Sequence, residues 1–174
     1  MVNRRKLYGP LELVDGRWAV GDSALPGGRW VQFREDGMVP HTGDAPGEVI
    51  RWAGVMEGIT LQIGRYSYRA GFPVTSGFDG FWSRKPGVGR LFLTLRHPYE
   101  YRTVTFDRHP HRYSATQLLL TAQLMVNTVA DGEAHRLGDP EWLSRAIGRL
   151  EAVTSWPLGR GPEAVVRAAL ETAD

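Results

Sequence analysis

At Ser114 the hydrophobic pattern of this chain changes period, and that change restricts the fold more than any other feature. Before Ser114, short runs of alternating apolar and polar residues are separated by Gly, Pro and Asp, which is the period of strands and tight turns. After it, apolar residues recur every three or four positions, the period of helices packed by one face. Strands first and helices afterwards place the chain in the α+β class, mainly β, with a curled antiparallel sheet or barrel capped by a long helix.

The strand region supplies its own punctuation. Leu11-Glu12-Leu13-Val14 and Arg17-Trp18-Ala19-Val20 flank Asp15-Gly16, a pair suited to the positive φ angles of a two-residue hairpin turn. Trp30 to Arg34 leads through Glu35-Asp36-Gly37 into Met38-Val39-Pro40, where the missing N–H of Pro40 should end the strand. The chain is expected to be extended again at Glu48 to Trp52. Thr60 to Ile63 and Tyr66 to Arg69 form a hairpin around Gly64-Arg65, and Leu91 to Leu95 pairs with Arg102 to Phe106 around His97-Pro98-Tyr99.

Ser114-Ala115-Thr116-Gln117 matches a capping box, so a helix is expected over residues 115–130. Leu118, Ala122, Met125 and Val129 form its apolar stripe, with Gln123 and Asn127 on another side. Asp139-Pro140 starts a second helix that presents Trp142, Leu143, Ala146, Ile147, Leu150 and Val153. The break at Trp156 to Gly161 precedes a third, from about Pro162 to Thr172. The expected organisation is a sheet-and-helix body over 1–131 and a helical extension over 132–174 packed on the same domain.

One segment carries a family resemblance. Phe33-Arg34-Glu35-Asp36-Gly37-Met38, then Val49-Ile50-Arg51-Trp52-Ala53-Gly54-Val55-Met56-Glu57-Gly58-Ile59, resembles the central strands of bacterial pleckstrin-homology-like (PH-like) domains, in which a charged Gly turn precedes an Ile-x-Trp-x-x-Val pattern. The resemblance extends over about residues 7–130. It implies two nearly perpendicular sheets, a capping helix, and Trp52 as a core anchor. The resemblance by itself implies little about activity; together with the absence of catalytic motifs, the expected function is a non-catalytic interaction module that binds a protein or peptide. The basic first-hairpin motif of phosphoinositide-binding members is missing, because that turn here is Asp15-Gly16-Arg17.

Composition narrows the chemistry. The 174 residues include no Cys, which excludes disulfides, thiolate zinc sites and a cysteine nucleophile and suits a cytoplasmic location. The longest apolar run is broken by Thr121, Gln123 and Asn127, so no transmembrane segment is expected; nor is a secretory signal, since Tyr8-Gly9-Pro10 follows the basic start. Net charge is only +2, so no nucleic-acid partner is expected, although all basic residues except Lys6 and Lys85 are Arg. No serine-hydrolase elbow, P-loop or dinucleotide fingerprint is present, and Gly87-Val88-Gly89 lacks the helix start that a phosphate loop needs. No enzyme activity and no cofactor are expected.

Two clusters remain as candidates. The segment 70–90 interleaves glycines with Phe72, Phe78, Phe81 and Trp82, followed by Arg84, Lys85 and Arg90. These aromatics either fold back as added core or form an interaction surface for a peptide or, less directly, an anionic lipid surface. Arg65, Arg69 and Arg96 would extend its basic rim. The second cluster is His97, His109 and His111, with Asp107 nearby, which are residue types that bind zinc or line a small-ligand site; a polar loop leading to the helix cap is the simpler reading, and no metal site is assigned. The apolar stripes of the last two helices must cover either the same body or a second subunit, as in a homodimer.

Overall fold

A computed structural model of the protein describes residues 5–63, 66–68, 87–96, 98–153 and 159–171, the three residues 66–68 by their backbone only. Strands β1 (Lys6–Tyr8), β2 (Leu11–Val14), β3 (Arg17–Val20), β4 (Arg29–Arg34), β5 (Gly37–Thr42) and β6 (Ala45–Pro46) form an antiparallel sheet in sequence order, and β7 (Ile50–Arg51) also pairs with β5. A second antiparallel sheet has the order β11-β10-β8-β9, from β8 (Val55–Ile63), β9 (Tyr66–Tyr68), β10 (Val88–Leu95) and β11 (Glu100–Asp107). Helices α1 (Ala115–Ala130), α2 (Pro140–Glu151) and α3 (Pro162–Glu171) follow, with a 3₁₀ turn over Ala134–Gly138.

The α+β, mainly β, class is as expected, but the sheets are not closed into a barrel. They are joined at one corner instead. The Arg29 backbone N–H and guanidinium both donate to the Asp107 carboxylate, at 2.8 and 2.7 Å, and the Asp22 N–H donates to the Asp107 carbonyl at 2.9 Å. This bidentate pairing holds Asp107 below its ordinary carboxylate range.

Local sequence explains most strand ends. Asp15 and Gly16 adopt φ of 49° and 76°, the doubly positive pattern of the turn that joins β2 to β3 in register Val14 with Arg17. Pro40 does not end its strand: β5 continues to Thr42. Counting from the two-residue turn at Glu35 and Asp36, the Pro40–Val31 pair is a non-hydrogen-bonded one, so the absent N–H would have faced away from β4. On that side Pro40 falls between the β7 partners Gly37 and Met38 and the β6 partners His41 and Thr42. The stretch expected to be extended over Glu48 to Trp52 shortens to β7, after which residues Trp52–Gly54 make a 3₁₀ turn.

The second sheet bends where β8 carries two extra residues. Its register with β10 jumps from Leu93–Ile59 to Thr94–Met56, leaving Glu57 and Gly58 unpaired at φ of 58° and 109°. The inward residues Ile59, Leu61, Leu91, Leu93, Val104 and Phe106 are buried against α1 and the first sheet. Trp52 is buried, donates its indole N–H to the Arg34 carbonyl at 2.7 Å and meets Phe33 edge-on, in the anchoring role expected of it.

Ser114 caps α1 by accepting the Gln117 backbone N–H at 3.1 Å. The helix is more enclosed than one apolar stripe would require: Gln123 and Asn127 are buried too, and the Gln123 amide donates to the Asn127 carbonyl oxygen at 2.7 Å. The reason is that α1 is covered on one side by β8 and on another by α3 and the 3₁₀ turn. Trp142, Leu143, Ile147 and Leu150 of α2 and Val165, Val166 and Ala169 of α3 belong to one continuous core with the strands. Their stripes are therefore covered within the chain.

Candidate functional site

The strand β2 buries residues on both of its faces. Leu11 points into the core between the sheets, as alternation requires, but Glu12 on the opposite face is also fully buried. The segment following β11 lies over that face and places His109 and Tyr113 on it. His109 Nε2 is 3.2 Å from Glu12 Oε2, and its Nδ1 is 2.8 Å from the Tyr113 hydroxyl, which also accepts the His109 backbone N–H at 2.9 Å.

One tautomer satisfies this whole chain of contacts. With the proton on Nε2, His109 donates to the Glu12 carboxylate, and its bare Nδ1 accepts the Tyr113 O–H. Burial pushes the Tyr113 hydroxyl up to about 12, offset in part by the His109 N–H, so that it keeps its proton at neutral pH. Burial also works to raise Glu12, but is outweighed by hydrogen bonds from His109 and from the Ser23 N–H, which lies 2.7 Å from Oε1; the carboxyl group is held below its ordinary value.

Asp22 completes the cluster from the β3–β4 loop. Gly21 brings it there: its φ of 95° belongs to a region that side chains disfavour, and a Cβ would meet the Asp107 carbonyl oxygen and the Phe106 Cβ at 3.0 Å. Asp22 Oδ1 accepts the Ala24 N–H at 3.1 Å and lies 3.4 Å from the Arg5 guanidinium, which is also 3.7 Å from Glu12 Oε2. Ligand-type atoms of Glu12, Asp22 and His109 all fall within 4.8 Å of one another, and all three residues are buried. Arg108 is buried beside them, its guanidinium 5.0 Å from the Tyr113 ring centre, with Nε and Nη1 lacking partners among the described residues.

This rearranges the expected His cluster. His109 is a buried, doubly hydrogen-bonded side chain rather than part of a wet loop, and its principal partner is 97 positions away. His111 is largely exposed, with its ring 5.1 Å from that of His109; partial desolvation of the ring and the neighbouring His109 hold it below the usual histidine value. Asp107 is engaged with Arg29, and His97 lies outside the described residues. Neither Glu12 nor Asp22 was marked by the sequence, since Leu-Glu-Leu-Val reads as a strand with an outward Glu.

Of the expected interaction surface, Phe72, Phe78, Phe81, Trp82, Arg84 and Lys85 lie outside the described residues, as do Arg65 and Arg69. Arg90 is half-buried on the outer face of β10, whereas Arg96 is exposed beyond the strand's other end, about 20 Å away along an extended chain. These two do not form a local rim. Gly89, from the segment compared above with a phosphate loop, is a strand residue buried under Phe106.

The structure supplies an aromatic face that the sequence reading did not single out. Phe92 and Tyr101 project from the outer face of β10 and β11, 37% and 90% exposed. Phe92 faces Thr103 and Thr94 faces Tyr101, so the two aromatics are diagonal neighbours across the pair. Tyr99, 77% exposed, follows from the adjoining turn. No family model, curated protein or solved structure matches the chain.

Proposed function

We propose that this protein is a non-catalytic, PH-like interaction module that binds a protein or peptide on the outer face of its second sheet. The observation that carries the reading is the diagonal pair of Phe92 and Tyr101, flanked by Thr94, Thr103 and Tyr99. Exposed tyrosines combine large contact area with few rotatable bonds and a polar tip, and aromatic residues are enriched where binding energy concentrates. Arg90, on the same face two positions before Phe92, adds a cation suited to an acidic side chain.

The PH-like part of the reading rests on the charged turn between β4 and β5 and on Ile50, Trp52 and Val55, all three buried in the core behind it. The non-catalytic part rests on the lack of any recognised catalytic motif in the sequence. A cysteine-free composition, and the finding that no helix among the described residues is long and apolar enough to cross a membrane, accord with action in the cytoplasm.

Selection from a displayed random-peptide library tests the proposal. The wild-type protein is expected to enrich a peptide consensus, and Phe92→Ser/Tyr101→Ser to lose binding to those peptides while keeping its melting temperature. Failure to enrich any sequence, or equal binding by the double variant, sinks it.

A further inference from the structure

We propose that Glu12, Asp22 and His109 form a binding site for one divalent transition-metal cation, of which zinc is the type, and that Arg5 is the resident cation it displaces. The site is independent of the aromatic sheet face. Its donors come from three separate parts of the fold: β2, the β3–β4 loop and the segment after β11. Around an ion bound at about 2.0–2.1 Å in tetrahedral geometry, neighbouring ligand atoms lie roughly 3.3 Å apart. The Nε2–Oε2 distance of 3.2 Å already matches that spacing. The widest separation in the group, at most 4.8 Å, requires a closure of no more than about 1.5 Å, within reach of an Asp22 side-chain rotation.

Charge supports the same assignment. Two buried carboxylates are costly without a cation, and the neighbouring arginines are an incomplete answer: Arg5 is 38% exposed and reaches them at 3.4 and 3.7 Å, and Arg108 is turned to the Tyr113 ring and makes no ion pair with either carboxylate among the described residues. A divalent ion neutralises both. The supporting contacts are of the kind that orient metal ligands, with Tyr113 on His109 Nδ1 and the Ser23 and Ala24 N–H groups on Glu12 Oε1 and Asp22 Oδ1. Glu12 Oε2, the oxygen nearest His109 Nε2, is left toward the ion, and Asp22 adds one carboxylate oxygen. Binding requires the other His109 tautomer: the proton moves to Nδ1 and is donated to the Tyr113 oxygen, which frees the Nε2 lone pair. Imidazole with two carboxylates suits zinc, and the exposed His111 beside His109 or a water is available as the fourth ligand.

The test is titration of the chelator-treated full chain with Zn²⁺ by calorimetry, with Co²⁺ absorption in the visible range reporting ligand geometry. Saturation at one equivalent is expected, with a dissociation constant of about 10 µM or tighter. Asp22→Asn and Glu12→Gln are expected to weaken it at least ~100-fold, Tyr113→Phe about tenfold or more, and Arg5→Ala to tighten it several-fold. If Glu12→Gln does not fold, Asp22→Asn and the exposed Arg5→Ala decide the matter, each checked by circular dichroism. Absence of saturable binding overturns the proposal, as does binding that survives Asp22→Asn unchanged, which would place the ion on surface histidines. Weaker binding by Arg5→Ala overturns the displacement.

Discussion

His41 lies flat on Trp30, with ring centres 3.9 Å apart and planes 13° from parallel, and neither ring nitrogen has exposed surface or a hydrogen-bond partner among the described residues. Burial, and secondarily the charge of Arg34, therefore depress its pKa below the ordinary 6.5, while Asp44 opposes them. Between the folded and unfolded values the unfolded chain binds more protons, so stability rises with pH in that window and is lost as pH falls below about 6.5. His41→Phe keeps the stack without a titrating group. It is expected to remove part of the fall in melting temperature between pH 7.5 and pH 5; an unchanged profile would rule out His41 as a contributor. Gly138 illustrates a steric constraint that no periodicity reveals. A Cβ there would overlap the Arg34 carbonyl and approach the Trp52 indole nitrogen to 2.8 Å, the two groups joined by the hydrogen bond that anchors Trp52. Gly138→Ala is expected to cost about 2–4 kcal/mol in urea denaturation, because backbone rather than a flexible side chain must yield. Residue-scale features of this kind arise from distant segments meeting, which is why Trp52 was legible as core while the burial of Glu12 was not: alternation within Leu11–Val14 predicts an outward Glu, and it is the arrival of the β3–β4 loop and of the segment over Arg108–Tyr113 that covers it.

At the scale of elements, local chemistry was a better guide. Asp15 and Gly16 specified their turn, Ser114 specified the start of α1, and Asp139 accepts the Glu141 and Trp142 N–H groups at 2.9 and 3.0 Å to start α2 immediately before Pro140. These signals act over two to four residues, so the sequence carries them intact. Strands β1 and β6 have no alternation of their own to read, because each is short and takes its register from a neighbour. Ser114→Ala leaves the Gln117 N–H without its side-chain acceptor and is expected to lower stability by about 0.5–2 kcal/mol in chemical denaturation, whereas Ser114→Asp should retain most of it. Equal stability of the Ala variant would show that water replaces the cap at no cost. Pairing between β10 and β11 depends on Gly89, which lies opposite Phe106 and whose missing side chain makes room for that ring. The aromatic thus fills the space above its glycine partner, an arrangement that fixes register as well as burying the ring.

For the whole molecule, the decisive property is that strands and helices share one core. Trp18 of β3 donates its indole N–H to Ser144 of α2 at 2.9 Å, Leu143 and Ile147 are fully buried, and α3 covers the side of α1 that a four-turn helix on a sheet would otherwise leave wet. The sequence marked a change of character at Ser114 and a second near Gly132, and both are real boundaries between elements. Neither is a boundary in packing, because the stripe of α2 closes over residues from the first 20 positions of the chain. A helical tail that merely rested on a finished sheet would melt first, leaving the strands folded. A shared core instead requires that loss of one side-chain contact on α2 be felt by both layers. Leu143→Ala is expected to cost about 2–5 kcal/mol, the range for a buried leucine whose cavity cannot fully collapse. In a Trp142→Phe/Trp156→Phe background, which removes the indoles of α2 and of the segment after it, its urea transition should shift to lower concentration equally when followed by far-ultraviolet circular dichroism, which reports chiefly the helices, and by tryptophan fluorescence, to which Trp18, Trp30 and Trp52 in or beside the first sheet contribute. If the helical signal shifts while the fluorescence midpoint of the sheet stays at its wild-type value, the two layers fold as separate units and the continuity of the core does not couple them.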